Sequence, residues 1–270
     1  MKIGVVQNVS SRILDRVGYV ELQRDNLRRT LGDDVELVFE DSGNDGDDTY
    51  MDVMFNPFLS ALDGRVMLEK LYLLQEQGCD AVVIACSMDP LLAEARSVLR
   101  IPIVGTIEAA MFTACMAGPK FSFLVHRDRR CAEATEEAVV RYGLRSRMTP
   151  MVYASERLAE LMLSAYREPE VVRDEVLAGC AEVIELGAHS VIIGGIGLAN
   201  LVTACGIAEV PGYGAPVLDP ISVAVHMLRY RVGLQRSLGI PPASQAGSYR
   251  RLPEELERTT LRSFAFAQRP

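Results

Sequence analysis

The sequence has no tryptophan, few other aromatic residues and no long uninterrupted apolar run. Positive charge is also scarce, since 36 acidic residues outnumber 28 Lys and Arg and leave a net charge of −8. A surface that neutralises phosphates has the opposite sign, so we expect neither nucleic acid nor anionic lipid as a partner. No stretch approaches the roughly 20 apolar residues of a membrane helix, and the first residues lack the regions of a signal peptide. The prediction is a cytoplasmic protein without membrane attachment.

Paired or clustered metal-binding and disulfide-forming residues are lacking too. Six cysteines and three histidines are scattered along 270 residues, and no Cys-x-x-Cys or His-x-x-x-His spacing occurs. A free cysteine within an apolar stretch behaves as a small hydrophobic residue. Neither a disulfide framework nor a metal site is therefore predicted.

Short β-branched apolar runs alternate with longer stretches of helical period, which is typical of βα units. The runs that predict strands are 3–6, 35–39, 81–85, 101–104, 121–125, 151–153, 190–193 and 216–218. Between two of them, Leu158, Leu161 and Ala165 form one apolar stripe of a helix. The sequence predicts an α/β fold with helices covering parallel sheets. The polar, glycine-containing segment 42–48 predicts a surface loop.

The chain also contains an internal repeat. Residues 78–86, GCDAVVIAC, align without gaps on residues 187–195, GAHSVIIGG, and each copy precedes a helical stretch and a strand with an early proline. We infer two similar Rossmann-like domains related by pseudo-twofold symmetry, with the active site in the cleft between them. The predicted boundaries are 1–110 plus 216–240 for the first domain, 111–215 for the second, and 241–270 for a tail that packs on the body or on a neighbouring subunit.

Ligands of open parallel sheets bind beyond the carboxyl ends of the strands, so the residues that follow the apolar runs should converge there. These residues are Gln7, Asn8, Cys86, Ser87, His126, Arg127, Gly194, Gly195 and Ile196. Cys86 is the candidate for chemistry, because a thiol beside a helix N-terminus should have a lowered pKa. We predict that Asp89 caps this helix and that Pro90 occupies its first turn. The other cysteines, Cys205 among them, are interpreted as structural.

The residues around Cys86 resemble those of the aspartate/glutamate/hydantoin racemase superfamily, and its hydantoin racemase branch in particular. The resemblance rests on residues 78–87, on IPIVG at 101–105 and on EAA at 108–110, and it extends over most of residues 1–235. It implies a homo-oligomeric enzyme that needs no cofactor and acts on a small carboxylic acid or hydantoin-like substrate. Two cysteines of that family, one from each half, face opposite sides of the reacting carbon. Inversion through a planar enolate requires such a group on each face.

The second cysteine of the family is missing here. The repeat places its position at Gly195, where we assign the glycine, with Gly194 and Ile196, to backbone donation and to space for the substrate. His126 is the candidate second acid or base, because an imidazole with a pKa near 6.5 exchanges protons at neutral pH. The alternative is a histidine that only binds a substrate carboxylate. Asn8 and Ser87 are assigned to carboxylate or enolate binding.

Several functions stay open at this point. The first is a cofactor-independent racemase or epimerase that uses the Cys86 thiolate at a carbon next to a carboxylate or carbonyl. A one-cysteine decarboxylase of a malonate-type acid, a cis-trans isomerase of a maleate-like diacid and a non-catalytic relative that binds a small acid are the alternatives. A nucleotide-binding loop at 194–197 is disfavoured, because its glycines do not follow the Gly-x-Gly-x-x-Gly spacing.

Overall fold

The computed structural model describes residues 1–43 and 54–266. Its strands form a four-stranded and a five-stranded sheet. The strands are β1 (Lys2–Gln7), β2 (Glu36–Asp41), β3 (Ala81–Ala85), β4 (Ile103–Gly105), β5 (Ser122–Val125), β6 (Val152–Tyr153), β7 (Val191–Gly194), β8 (Glu209–Val210) and β9 (Ala215–Leu218). All eight predicted strands are present. The two-residue strand β8 was not predicted, because so short a segment has no recognisable alternation.

Helices connect the strands and cover both sheets. They are α1 (Ser11–Asp15), α2 (Tyr19–Leu31), α3 (Pro57–Glu76), α4 (Leu92–Val98), α5 (Thr106–Ala117), α6 (Arg129–Arg141), α7 (Glu156–Ala165), α8 (Arg173–Glu185), α9 (Ile196–Ala204), α10 (Pro220–Leu238) and α11 (Glu254–Ser263). Asn56 and Asp219 start α3 and α10, since each side chain accepts a first-turn N–H and a proline follows. Within residues 1–43 and 54–266, no helix combines the length and apolarity of a membrane span.

The two sheets share one strand order. In the first, β1 lies between β2 and β3, and β4 follows β3. In the second, β5 lies between β6 and β7, and β9 takes the position of β4. These pairs are parallel, whereas the added strand β8 is antiparallel to β9. The predicted α/β fold with two similar, parallel-stranded halves is thus confirmed.

One predicted boundary is wrong. The segment 216–240 was assigned to the first domain, but β9 pairs with β7 and β8 and completes the second sheet. The helix α10 that follows does pack on the first half, against β3, β4 and α5. The chain therefore crosses between the halves at Asp219, since the strand completes one sheet and the helix covers the other.

The C-terminal segment packs on the first half as far as residue 266. Arg251 donates to the carbonyl of Leu99 at 2.9 Å, and the rings of Tyr72 and Phe266 pack edge to face with centroids 5.8 Å apart. These contacts agree with the prediction of a tail that packs on the body. Of the predicted loop at 42–48, residues 44–48 lie outside the described residues.

Candidate active site

A cleft of about 360 Å³ lies at the carboxyl ends of the strands of both halves. Its volume is in the range of small-molecule sites. All nine residues expected to converge line it, namely Gln7, Asn8, Cys86, Ser87, His126, Arg127, Gly194, Gly195 and Ile196. The first four come from the first half and the other five from the second, so both halves contribute to one site.

Cys86 follows β3 and is 4% exposed. Burial raises the pKa of its thiol to about 12, although a hydrogen bond from the backbone N–H of Met88 to the sulfur opposes the shift. The lowered pKa expected from the sequence is therefore wrong. The helix α4 begins only at Leu92, so Pro90 is not in its first turn and the positive end of its dipole is not beside the thiol.

Asp89 does not cap α4 either. Its carboxylate accepts the backbone N–H groups of Ile107 at 3.1 Å and Glu108 at 2.9 Å, both in the first turn of α5, and the hydroxyl of Tyr142 at 2.8 Å. Burial raises the pKa of this carboxyl to about 6, while the donated hydrogen bonds counteract the shift. The loop that carries Cys86 is thereby tied to the start of α5 and to Tyr142, the residue that follows α6.

Gly195 lies at the end of β7, next to His126 at the end of β5. The backbone of Gly195 has a φ of 119°, a conformation that favours glycine. A Cβ atom added there would lie 2.3 Å from Nε2 and 2.5 Å from Cδ2 of His126. The imidazole ring therefore occupies the space into which a side chain at position 195 would extend.

The environment of His126 favours the neutral imidazole. Burial lowers the pKa of His126, and the nearby Asp128 carboxylate only partly opposes this. The cation next to it in sequence, Arg127, forms an ion pair with Glu156 at 3.0 Å. A neutral imidazole is a proton acceptor and attracts a carboxylate only weakly, so this environment suits a base better than an anion-binding group.

Donors suited to a developing oxyanion border the same cleft. The first N–H groups of a helix have no partner within the helix, and α9 starts at Ile196, directly after the lining residues Gly194 and Gly195. Ser87 contributes a hydroxyl from the opposite half. Asn8 also lines the cleft, but its Nδ2 contacts the sulfur of Met54 at 2.9 Å.

Residues in or next to helices also line the cleft, and the sequence did not predict them there. The rings of Tyr19 and Tyr166, one from each half, pack edge to face with centroids 5.2 Å apart. Cys131 on α6, interpreted as structural, lines the cleft as well, and burial raises its pKa to about 12. Helical periodicity indicates which face of a helix is covered, but it does not distinguish a core position from a cleft wall. Cys205 lies elsewhere, with its thiol donating to the carbonyl of Pro169 at 3.1 Å.

We expect Cys86 to react slowly with iodoacetamide at neutral pH. A thiol with a pKa of about 12 has a thiolate fraction about a thousandfold below that of an ordinary cysteine. Labelling followed by peptide mass spectrometry should show a rate at Cys86 at least about 100-fold below that in the denatured chain, rising with each unit of pH. Equal rates in the folded and denatured chains would contradict the desolvated environment.

Known proteins resemble this chain in sequence and in fold. A family model described as Asp/Glu/Hydantoin racemase matches residues 44–228. A hydantoin racemase of Rhizobium meliloti is 29% identical over 62% of this chain and 66% of its own length. One of Paenarthrobacter aurescens is 30% identical over 67% of this chain and 71% of its own. Allantoin racemase from Klebsiella pneumoniae, 22% identical with a TM-score of 0.70 over 94% of both chains, has the same fold.

Proposed function

Because the chain belongs to the Asp/Glu/hydantoin racemase family, we propose that it is a cofactor-independent racemase of hydantoin-like substrates. The reaction is the inversion of a carbon next to a ring carbonyl. The observation that carries the proposal is the single cleft that Cys86 of the first half and His126 of the second both line. Two proton-exchanging groups from opposite halves are what inversion through a planar enolate requires.

In this mechanism, His126 takes the place of the second thiol that the family resemblance implies. Its ring fills the space of a side chain at position 195. The neutral imidazole removes the proton, so that the C–H bond breaks as an N–H bond forms and an enolate remains. The Cys86 thiol then delivers its proton to the other face, so that an S–H bond breaks as the new C–H bond forms.

The pKa values of the two groups define the resting state of the enzyme. After one inversion the enzyme holds an imidazolium and a thiolate. Burial raises the pKa of Cys86 to about 12 and lowers that of His126, so a proton returns from the imidazolium to the thiolate, directly or through water. The free enzyme thus holds a thiol and a neutral imidazole, the form that acts on one enantiomer. The opposite enantiomer reacts by the reverse route: the thiol first gives its proton to the imidazole, the thiolate then removes the substrate proton, and the imidazolium returns a proton to the other face.

The enolate oxygen requires fixed donors in the cleft. We assign this role to the N–H groups at the start of α9, beginning with the Gly195–Ile196 segment, and to the hydroxyl of Ser87. Asn8 is assigned to the second substrate carbonyl. The space that the sequence assigned to the substrate at Gly195 is instead filled by the imidazole of His126, so this glycine makes room for the proposed base.

The direct test of this function is a substrate panel followed by chiral chromatography. Each enantiomer of a 5-monosubstituted hydantoin should convert to the racemate, whereas amino acids, arylmalonates and maleate should be unchanged. Without hydantoin racemisation, release of carbon dioxide from a malonate would instead support a decarboxylase, and conversion of maleate to fumarate would support a cis-trans isomerase.

A cysteine at position 195 should impair this enzyme rather than restore the second thiol. In Gly195→Cys, the new Cβ meets His126 Nε2 at 2.3 Å and the residue must adopt a φ of 119°. Such backbone strain destabilises by about 1–3 kcal/mol. We expect lower racemisation and a lower melting temperature in the single variant.

The matched control is the double variant Gly195→Cys/His126→Ser, which removes the ring that the new side chain would meet. It should racemise at least about tenfold faster than Gly195→Cys, because it has both room and a second thiol. A single variant with native activity and stability would show that the ring of His126 does not fill this space.

A further inference from the structure

Gln7, the last residue of β1, lines the cleft and is 3% exposed. Its Nε2 donates to Oε1 of Gln23 at 2.5 Å, and Nε2 of the fully buried Gln23 donates to the hydroxyl of Tyr19 at 3.3 Å. This hydrogen-bonded series orients the amide of Gln7. Because its nitrogen is directed at Gln23, its oxygen is turned away from Gln23.

That oxygen is an acceptor without a donor. Oε1 of Gln7 is buried and accepts no hydrogen bond from residues 1–43 or 54–266. Leaving a buried acceptor unpaired destabilises a protein by about 1–3 kcal/mol, so such atoms in native structures call for an explanation. Since the side chain borders a ligand-sized cleft, a ligand that brings an N–H would supply the missing donor.

The sheet places Gln7 next to the reacting centre. In the parallel pair β1–β3, Gln7 is in register with Ala85, the residue before Cys86. Neighbouring strands lie about 4.8 Å apart, so Gln7 and Cys86 flank the same end of the cleft. A substrate group that reaches Gln7 is therefore close to the carbon that faces the thiol.

Building on the proposed function, we propose that Gln7 Oε1 accepts the ring N–H bonded to the reacting carbon and thereby selects substrates that carry an N–H there over malonate-type acids, which carry a carboxylate there. A hydantoin carries such an N–H beside its acidic carbon. A carboxylate oxygen in the same place has only lone pairs and would repel the amide oxygen. Gln7 is thus a specificity-determining residue, and Gln23 positions it.

Binding of ligands that lack an acidic C–H tests this inference without turnover. The probes are 5,5-dimethylhydantoin and 2,2-dimethylsuccinimide, which differ by the replacement of that one N–H with CH₂. Calorimetry should show that the native protein binds the hydantoin at least about tenfold more tightly, because an unpaired acceptor is left with the succinimide. In Gln7→Met the two ligands should bind with similar affinity.

A second variant and a stability measurement make the result independent of one substitution. Gln23→Met leaves Gln7 in place but removes the acceptor of its Nε2, and should reduce the preference for the hydantoin, with thermal melts verifying folding. Equal binding of the two probes to the native protein, or an unchanged preference in Gln7→Met, would overturn the inference. If either result is found while the native protein racemises 5-monosubstituted hydantoins, the proposed role of Gln7 is wrong and the proposed function stands. If it neither binds nor racemises hydantoins, the proposed function fails and this inference fails with it.

Discussion

Replacement of His126 by asparagine should reduce the racemisation rate by about a thousandfold, within the range of general acid–base contributions. Asparagine retains polarity and a similar shape but does not exchange protons at neutral pH. One face of the substrate carbon then has no proton acceptor. Cys86 does not replace it, because the pKa of its buried thiol is about 12 and almost no thiolate is present at neutral pH. Initial rates from both enantiomers, followed by chiral chromatography, measure the loss.

The matched control is His189→Asn. His189 is exposed and lies outside the set of residues that line the cleft, so its replacement should change the rate by less than about twofold. Should His126→Asn retain a rate within about tenfold of the native enzyme, general acid–base catalysis by this imidazole would be wrong. His126 would then at most bind the substrate.

Cys86→Ala should abolish racemisation, with a loss of about a thousandfold or more, because no group then delivers a proton to the second face. Cys131→Ala and Cys205→Ala are the comparisons. Cys131 lines the same cleft, whereas the thiol of Cys205 donates to a backbone carbonyl elsewhere. Both variants should keep most of the activity.

The three cysteine variants separate chemistry from packing when melting temperatures are measured beside the rates. Cys205 is buried, so its replacement should lower stability more than activity. An equal loss of activity in Cys86→Ala and Cys205→Ala would mean that the assignment of Cys86 is wrong. A loss in Cys131→Ala as large as that in Cys86→Ala would place the second proton-exchanging group on α6.

The location of the cleft that forms the candidate site could be predicted from the sequence, because it depends on a rule about strands. The strands of each parallel sheet end at one edge, and the nine residues predicted from this rule, which follow four of the eight runs, all line the cleft. The proximity of His126 and Gly195 could also be predicted from the sequence. In the β5–β7 pair, Val125 is in register with Gly194, so the residues that follow them are neighbours.

The protonation state of Cys86 could not be predicted, because it depends on tertiary contacts of the following loop. Asp89 and Pro90 form a convincing helix start in the sequence, yet Asp89 binds the first turn of α5 instead. Because no helix dipole lies beside the thiol, burial determines its pKa and raises it. The walls of the cleft, such as Tyr166 on the second half, depend in the same way on how the halves meet.

The central claim, that two unequal groups work on opposite faces of one carbon, is tested most directly by racemisation in deuterium oxide. A single enantiomer of a 5-monosubstituted hydantoin is converted to a small extent, and deuterium in each enantiomer is measured after chiral separation. With Cys86 and His126 on opposite faces, the product enantiomer should carry deuterium while the remaining substrate keeps its proton. Deuterium entering the remaining substrate as fast as the product forms would contradict the account, because one group would then both remove and return the proton.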